Sequence, residues 1–488
     1  MALASPSNLL SLHNAGGKIT SALPFRFAMR YGHNPKVTAI PDLTLFNGLS
    51  LDDPGPKALP TLTECAVHLE MLEAFQALRQ EVIHSKKLDM AFGMEPNRKT
   101  VYRKVWNGAR RRKDRTYTID KFVLKDADFA GKRKEKWTYF LQIAAVRFHV
   151  WIRVVNRCLK EHDANGAPVP RYLLLPPLDI LIIWHAYLLN CDDFKSYCAV
   201  QNLHHIQKIA FPWADIHNAI DRETWKYTLP SEQAQWFREN GNLHGSLIDA
   251  LSETTTNPKN PAWHLLKEFN SMTQKPWTEG LADPLVQTIL KARSTRGANE
   301  ALVNNVSRQV VFVDKMHGHR WIRSPAAHGT LRRAVDRYDK FLHLFRLYPG
   351  TFLVPTLDVD LVWHTHQCSA ENYRQFVTER VGRFINHDDK IGRGTLDNGF
   401  TSAEEWYRVT YGEQYQVCLC WSCEAILEAV EKMGDDVLTA EDSETLIRDL
   451  SVRVEREVNY YRKVETARRL GKNLPVGWNH HKGSIVTS

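Results

Sequence analysis

Asp360 and His364 stand four residues apart in PTLDVDLVWHTHQ (355–367), so on a helix they share one face. A carboxylate placed there can fix the tautomer of the imidazole or join it on a metal ion. His366 lies two residues further on, about 200° around a helix from His364. The two imidazoles therefore reach one ion only if the segment is extended or another element comes in. Asp360, His364 and His366 form the candidate catalytic group, with His387 and Asp388 close behind in sequence. A second group is Cys418, Cys420 and Cys423, spaced C-x-C-x-x-C. Thiolates at such spacing bind zinc, with one imidazole completing a tetrahedron. His387, His366 and His364 are the candidates for that fourth ligand, and His387 is taken with the cysteines as the metal set. The alternative is that the three cysteines are reduced and pack a helix start beside Trp421. Cys368, two residues after His366, is a candidate nucleophile, although nucleophile and base seldom sit so close in sequence. His317 and His319 make a further His-x-His pair. A P-loop, a G-x-S-x-G elbow, a G-x-G-x-x-G loop and an HExxH helix are all absent.

The segment that carries this chemistry occurs twice. PPLDILIIWHAYLLNCDDFKSYC (176–198) and PTLDVDLVWHTHQCSAENYRQFV (355–377) place Pro, Leu, Asp, Trp and His at a constant offset of 179 residues. Upstream, AAVRFHVW (144–151) pairs with AVDRYDKF (334–341) at an offset of 190. Proline fits the start of a helix because it has no N–H to leave unbonded. Asp179 and Asp358 then meet the positive end of the helix dipole, a sufficient structural role for both. Trp184 and Trp363 fall inside apolar runs and read as core. The first copy has Leu181 where the second has Asp360, and Tyr187 where the second has His366. Any acid–imidazole site thus belongs to the second copy, and His185 reads as structural.

These paired Pro-x-x-Asp…Trp-His segments resemble the plant glycine-rich-domain-containing proteins and their fungal relatives, a group defined by a domain of unknown function. The resemblance covers roughly residues 60–430. FVDKMHGHRWIRSP (312–325), GRFINHDDK (382–390) and CLCWSCE (418–424) favour the fungal branch. The glycine-rich tail that names the plant proteins is missing, with Gly only 25 of 488 residues. The resemblance implies a link to growth and stress signalling, without a settled biochemical activity.

Composition narrows the class. Hydrophobic residues at 43% and charged residues at 24% are those of a globular chain. No apolar run reaches the roughly 18 residues of a membrane span. Eight cysteines in 488 residues are no disulfide scaffold, which points to a reduced, cytoplasmic setting. The first 41 residues lack Asp and Glu, which is compatible with mitochondrial import or with a flexible leader. Charge is concentrated: residues 98–136 hold 15 Lys and Arg against 5 Asp and Glu, more than the +9 of the whole chain. At its centre Arg110, Arg111, Arg112 and Lys113 stand between Trp106 and Tyr117. Basic residues interleaved with aromatics can bind RNA or another polyanion, act as a nuclear-import signal, or form a solvated loop.

Helical periodicity outweighs strand alternation along the chain, predicting a mainly α fold with few short strands and an internally duplicated helical domain. Thr61 and Glu64 have capping-box spacing in the first clear helical element, 59–83. The expected organisation is a leader (1–58), a first repeat domain (59–251) with the basic insertion, a second (262–430) with the His/Asp and Cys clusters, and a C-terminal helix and tail (431–488). The polar stretch SETTTNPKNP (252–261) is the expected linker. Two functions fit: a helical scaffold or regulator binding a protein partner or RNA through the basic arm, and a metal-dependent enzyme centred on Asp360, His364, His366 and His387.

Overall fold

A computed structural model describes residues 43–46, 59–106, 117–166, 174–271, 276–388, 390–432 and 440–472. Among these the chain is mainly α, with 17 α-helices and one two-stranded sheet. None of the helices is long and apolar enough to cross a membrane. The expected leader lies outside the described residues apart from 43–46. The chain divides into two compact units, Met1–Gln76 with His185–Thr228 and Ser307–Ser488, and Ala77–Trp184 with Leu229–Val306.

The Ala77–Trp184 unit is organised by the long helix Phe129–Ala164. Its apolar residues recur at helical spacing, and Phe140, Ile143, Phe148, Trp151 and Ile152 are fully buried. Arg147, on the same helix, is buried too, and its Nε donates to Asp179 Oδ2 at 2.7 Å, at the start of the first Trp-His helix, Leu178–Leu188. Its second nitrogen donates to the His244 carbonyl at 2.5 Å. Trp184 packs against Trp151 with ring centroids 5.0 Å apart.

The stretch 252–261 is not an extended linker. It runs from the end of helix Leu247–Glu253 through a 3-10 turn, Thr254–Thr256, to helix Pro261–Lys267. Each threonine hydroxyl donates to the carbonyl three residues back, and Asn260 caps the next helix, with Pro261 at its first position. Polar residues that resemble a linker in composition serve here as caps.

The unit containing Ser307–Ser488 holds the second motif. Helix Ala327–Leu347 places Arg337 against Asp358 at the start of the second Trp-His helix, Leu357–Gln367. Arg337 Nε donates to Asp358 Oδ2 at 2.7 Å, and its terminal nitrogen donates to Thr356 Oγ1 at 3.1 Å and the Tyr415 carbonyl at 2.6 Å. Both motif aspartates thus have an arginine partner, at the positions aligned by the 190-residue offset, in addition to their place at a helix start. Trp184 and Trp363 are both buried. In the same unit the capping box closes as its spacing predicts. The Thr61 amide donates to Glu64 Oε2 at 2.7 Å and the Glu64 amide to Thr61 Oγ1 at 3.2 Å.

Candidate metal centre

The second Trp-His helix presents Asp360 and His364 on one face, as their spacing requires. The third member comes from beyond the next helix. Helix Ala370–Val381 ends at Gly382, whose φ of +89° suits a residue without a Cβ and turns the chain back. Two hydrogen bonds then hold the returning segment. The Trp363 indole donates to Tyr373 Oη at 2.8 Å, and that hydroxyl donates to the Ile385 carbonyl at 2.6 Å. His387 follows two residues later, its ring edge-on to Trp363 at 5.1 Å.

His364 Nε2 and His387 Nε2 lie 3.1 Å apart. Asp360 Oδ1 is 3.3 Å from the first and 3.5 Å from the second. Burial works to raise the Asp360 carboxyl, but the two imidazoles outweigh it and hold it below the usual carboxylate range. The His364 side chain is 2% exposed, that of His387 12% and that of Asp360 22%, so solvent reaches the triad from the carboxylate side. Phe312 packs on the His364 ring at 4.4 Å.

His366 does not join this group. It points into an aromatic nest of Tyr338, Tyr373 and Phe376, with Nδ1 3.0 Å from Tyr338 Oη. The angular separation on the helix places it there. Asp388 is exposed, and its carboxylate accepts the Lys390 amide in a turn. Cys368 is buried, and burial pushes its thiol well up, so it supplies no thiolate. Cys418, Cys420 and Cys423 do come together, with their sulfurs all within 4.8 Å of one another, but the imidazole expected with them, His387, stands with Asp360 and His364 instead. Arg110, Arg111, Arg112 and Lys113 lie outside the described residues. The strands flanking them, β1 (Lys99–Trp106) and β2 (Tyr117–Leu124), form an antiparallel hairpin exposed along nearly its whole length.

Sequence reasoning missed a second histidine pair. His68, on helix Leu62–His84, has Nδ1 2.8 Å from Thr365 Oγ1 and Nε2 3.0 Å from His185 Nε2. The Thr365 hydroxyl gives its one proton to the Leu361 carbonyl, so it accepts from His68 Nδ1–H. Neutral His68 then accepts at Nε2 from His185 Nε2–H. The signal in the sequence is a histidine inside an otherwise apolar helical stripe, CAVHLEMLEAF (65–75).

These rings keep neutral histidine in the core. Burial lowers His366 to about 3. Burial, then the neighbouring His364, lowers His185 to about 3. His68 lies well below its ordinary value, through burial first and then His185 and His364. Unfolded histidine titrates near about 6.5, so below that pH the unfolded chain binds protons that the folded chain refuses. The stability these sites carry is complete above that value and is lost as pH falls from there toward 3. Each site adds about 1.4 kcal/mol per pH unit to the decline. Urea unfolding between about pH 6 and about pH 4.5 should therefore show a slope shallower by one proton in His366→Phe. An unchanged slope would mean that His366 is protonated in the native state.

Residues 282–376 match the family described as glycine-rich domain-containing protein-like. Glycine-rich domain-containing protein 2 of Arabidopsis thaliana is 37% identical over 290 residues, 56% of this chain and 30% of that protein. Glycine-rich domain-containing protein 1 of Arabidopsis thaliana is 38% identical over 304 residues, 58% of this chain and 30% of that protein. The chain thus spans about 30% of the length of the curated relatives it matches. No solved structure matches it. The family segment contains Asp360 and His364 and ends before His387 and the cysteine cluster.

Proposed function

We propose that this chain, whose residues 282–376 match the glycine-rich domain-containing protein-like family, builds on its second Trp-His helix a centre for a divalent transition-metal ion. Asp360, His364 and His387 are the ligands. The observation that carries this reading is the triangle of donor atoms, with edges of 3.1, 3.3 and 3.5 Å. Donors about 2.0–2.1 Å from one ion stand about 3.3 Å apart when they occupy corners of a tetrahedron. Two imidazoles with one carboxylate are the donor set of open catalytic zinc and iron sites, which leave positions for water or substrate. The part-exposed Asp360 edge is where such positions would face solvent. An ion held there would polarise a bound oxygen or lower the pKa of bound water. His364 and His387 would orient it, and Asp360 would balance part of its charge.

Metal analysis of the full chain, purified without chelator and without an added metal-binding tag, tests the reading. About one ion attributable to this centre is expected, lost in His387→Ala with the far-ultraviolet circular dichroism unchanged. Equal metal content in wild type and His387→Ala would overturn it.

A second, compatible reading concerns the hairpin. Residues two apart on a strand share a face, so Tyr102, Lys104 and Trp106 line up opposite Lys121, Ile119 and Tyr117. Tyr102 is 67% and Trp106 59% exposed, and Lys104 lies over the Tyr117 ring at 4.6 Å. Exposed aromatics with interleaved lysines, joined by a connection that carries Arg110–Lys113, support binding of RNA or another polyanion by stacking and phosphate contact. Replacing Arg110, Arg111, Arg112 and Lys113 together with alanine should move elution from heparin to clearly lower salt and flatten the salt dependence of any RNA binding. Unchanged retention would remove this segment as the principal polyanion site.

A further inference from the structure

We propose that Cys418, Cys420 and Cys423 hold a zinc ion with His319 as the fourth ligand, a closed structural site separate from the Asp360 centre. The three sulfurs already lie within 4.8 Å of one another. Four ligands at a Zn–S distance of about 2.3 Å bring sulfurs to about 3.8 Å, a separation inside that bound. Cys418 and Cys420 precede helix Trp421–Lys432, and Cys423 lies in its first turn. None of the cysteines is in a disulfide.

His319 is brought to the cluster by two reciprocal indole bonds. Trp321 Nε1 donates to the Leu419 carbonyl at 2.9 Å, and Trp421 Nε1 donates to the His319 carbonyl at 2.7 Å. Each tryptophan thus ties the backbone beside one ligand segment to the other. The turn that makes this possible is Arg320, whose φ of +55° ends helix Glu300–His319 sharply. The imidazole is part-buried against Trp321, ring centroids 5.2 Å apart. It stands outside the 4.8 Å group of sulfurs, so coordination requires a rotation of the His319 side chain. Three thiolates crowded together without a cation repel one another. Zinc removes that repulsion, and a Cys3His set suits it better than harder divalent ions. The site would clamp the end of one helix to the start of another, a structural rather than a catalytic role.

The test uses the full-length chain. With the wild-type protein, titration with a mercurial should release one zinc into a metallochromic indicator as three thiols react. Reaction of the thiols with no metal released would overturn the proposal. Loading with Co(II) should give a near-ultraviolet sulfur-to-cobalt charge-transfer band and strong four-coordinate visible bands. Both should persist in His387→Ala, which removes only the nitrogen–oxygen centre, and the sulfur band should vanish in Cys420→Ser. In His319→Ala the sulfur band should remain while zinc affinity falls at least ten-fold. Unaltered affinity would remove His319 from the site, and a Cys418–Cys423 disulfide in protein purified under reducing conditions would refute the site itself.

Discussion

Replacing His364 by alanine should strip the centre of its metal while leaving the helices intact. Loss of a supporting partner behind a ligand already costs about 10–100-fold in metal affinity, and loss of the ligand itself should exceed that. Asp360→Asn keeps the shape of the carboxylate but removes its charge, and should weaken binding in the same direction. His366→Ala should leave metal content unchanged, because that ring faces Tyr338 rather than the triad. His185→Ala should likewise spare the metal, but it removes the ring 3.0 Å from His68 Nε2 and leaves a buried acceptor unmade, at about 1–3 kcal/mol. Isothermal titration with Zn(II) or Co(II), paired with urea unfolding, separates the two outcomes. If His364→Ala binds metal as wild type does, the triad is a hydrogen-bonded core feature and no centre exists.

The largest stability loss should follow Arg337→Ala. The guanidinium is nearly buried and serves Asp358, Thr356 and the Tyr415 carbonyl together, so its removal leaves a carboxylate with 2% exposure and no cation. Breaking such a pair costs about 3–5 kcal/mol. Arg337→Lys should recover little of it, because one ammonium cannot reproduce a planar fork that reaches four acceptors, the Gln414 carbonyl included. Arg147→Ala should behave alike, since Asp179 and the His244 carbonyl lose the same kind of partner. Urea midpoints report the change directly, and a loss under about 1 kcal/mol would place the pair at the level of a solvent-exposed ion pair.

Much of this protein was legible in the sequence because helices advertise themselves locally. The Thr61–Glu64 box and the shared face of Asp360 and His364 both depend on residues within one turn of each other. The seclusion of His366 was also implicit in a 200° step. Charge clustering marked the basic arm in the same way.

What only the tertiary structure decided are the partners. His387 reaches His364 across 23 residues through the turn at Gly382 and the Trp363–Tyr373–Ile385 relay. His68 meets His185 across 117 residues and Thr365 across 297. The aspartates that helix-dipole reasoning explained adequately turned out to be bound by arginines 32 and 21 residues earlier. The segment tied to the cysteines is the one that ends at His319, not the one that carries His387, because two indole bonds 98 and 102 residues in span join those backbones. Periodicity states which face of a helix is buried. It carries no information about which other buried polar group will be opposite, since that is set by the packing of helices distant in sequence and by the requirement that each buried donor and acceptor find a partner.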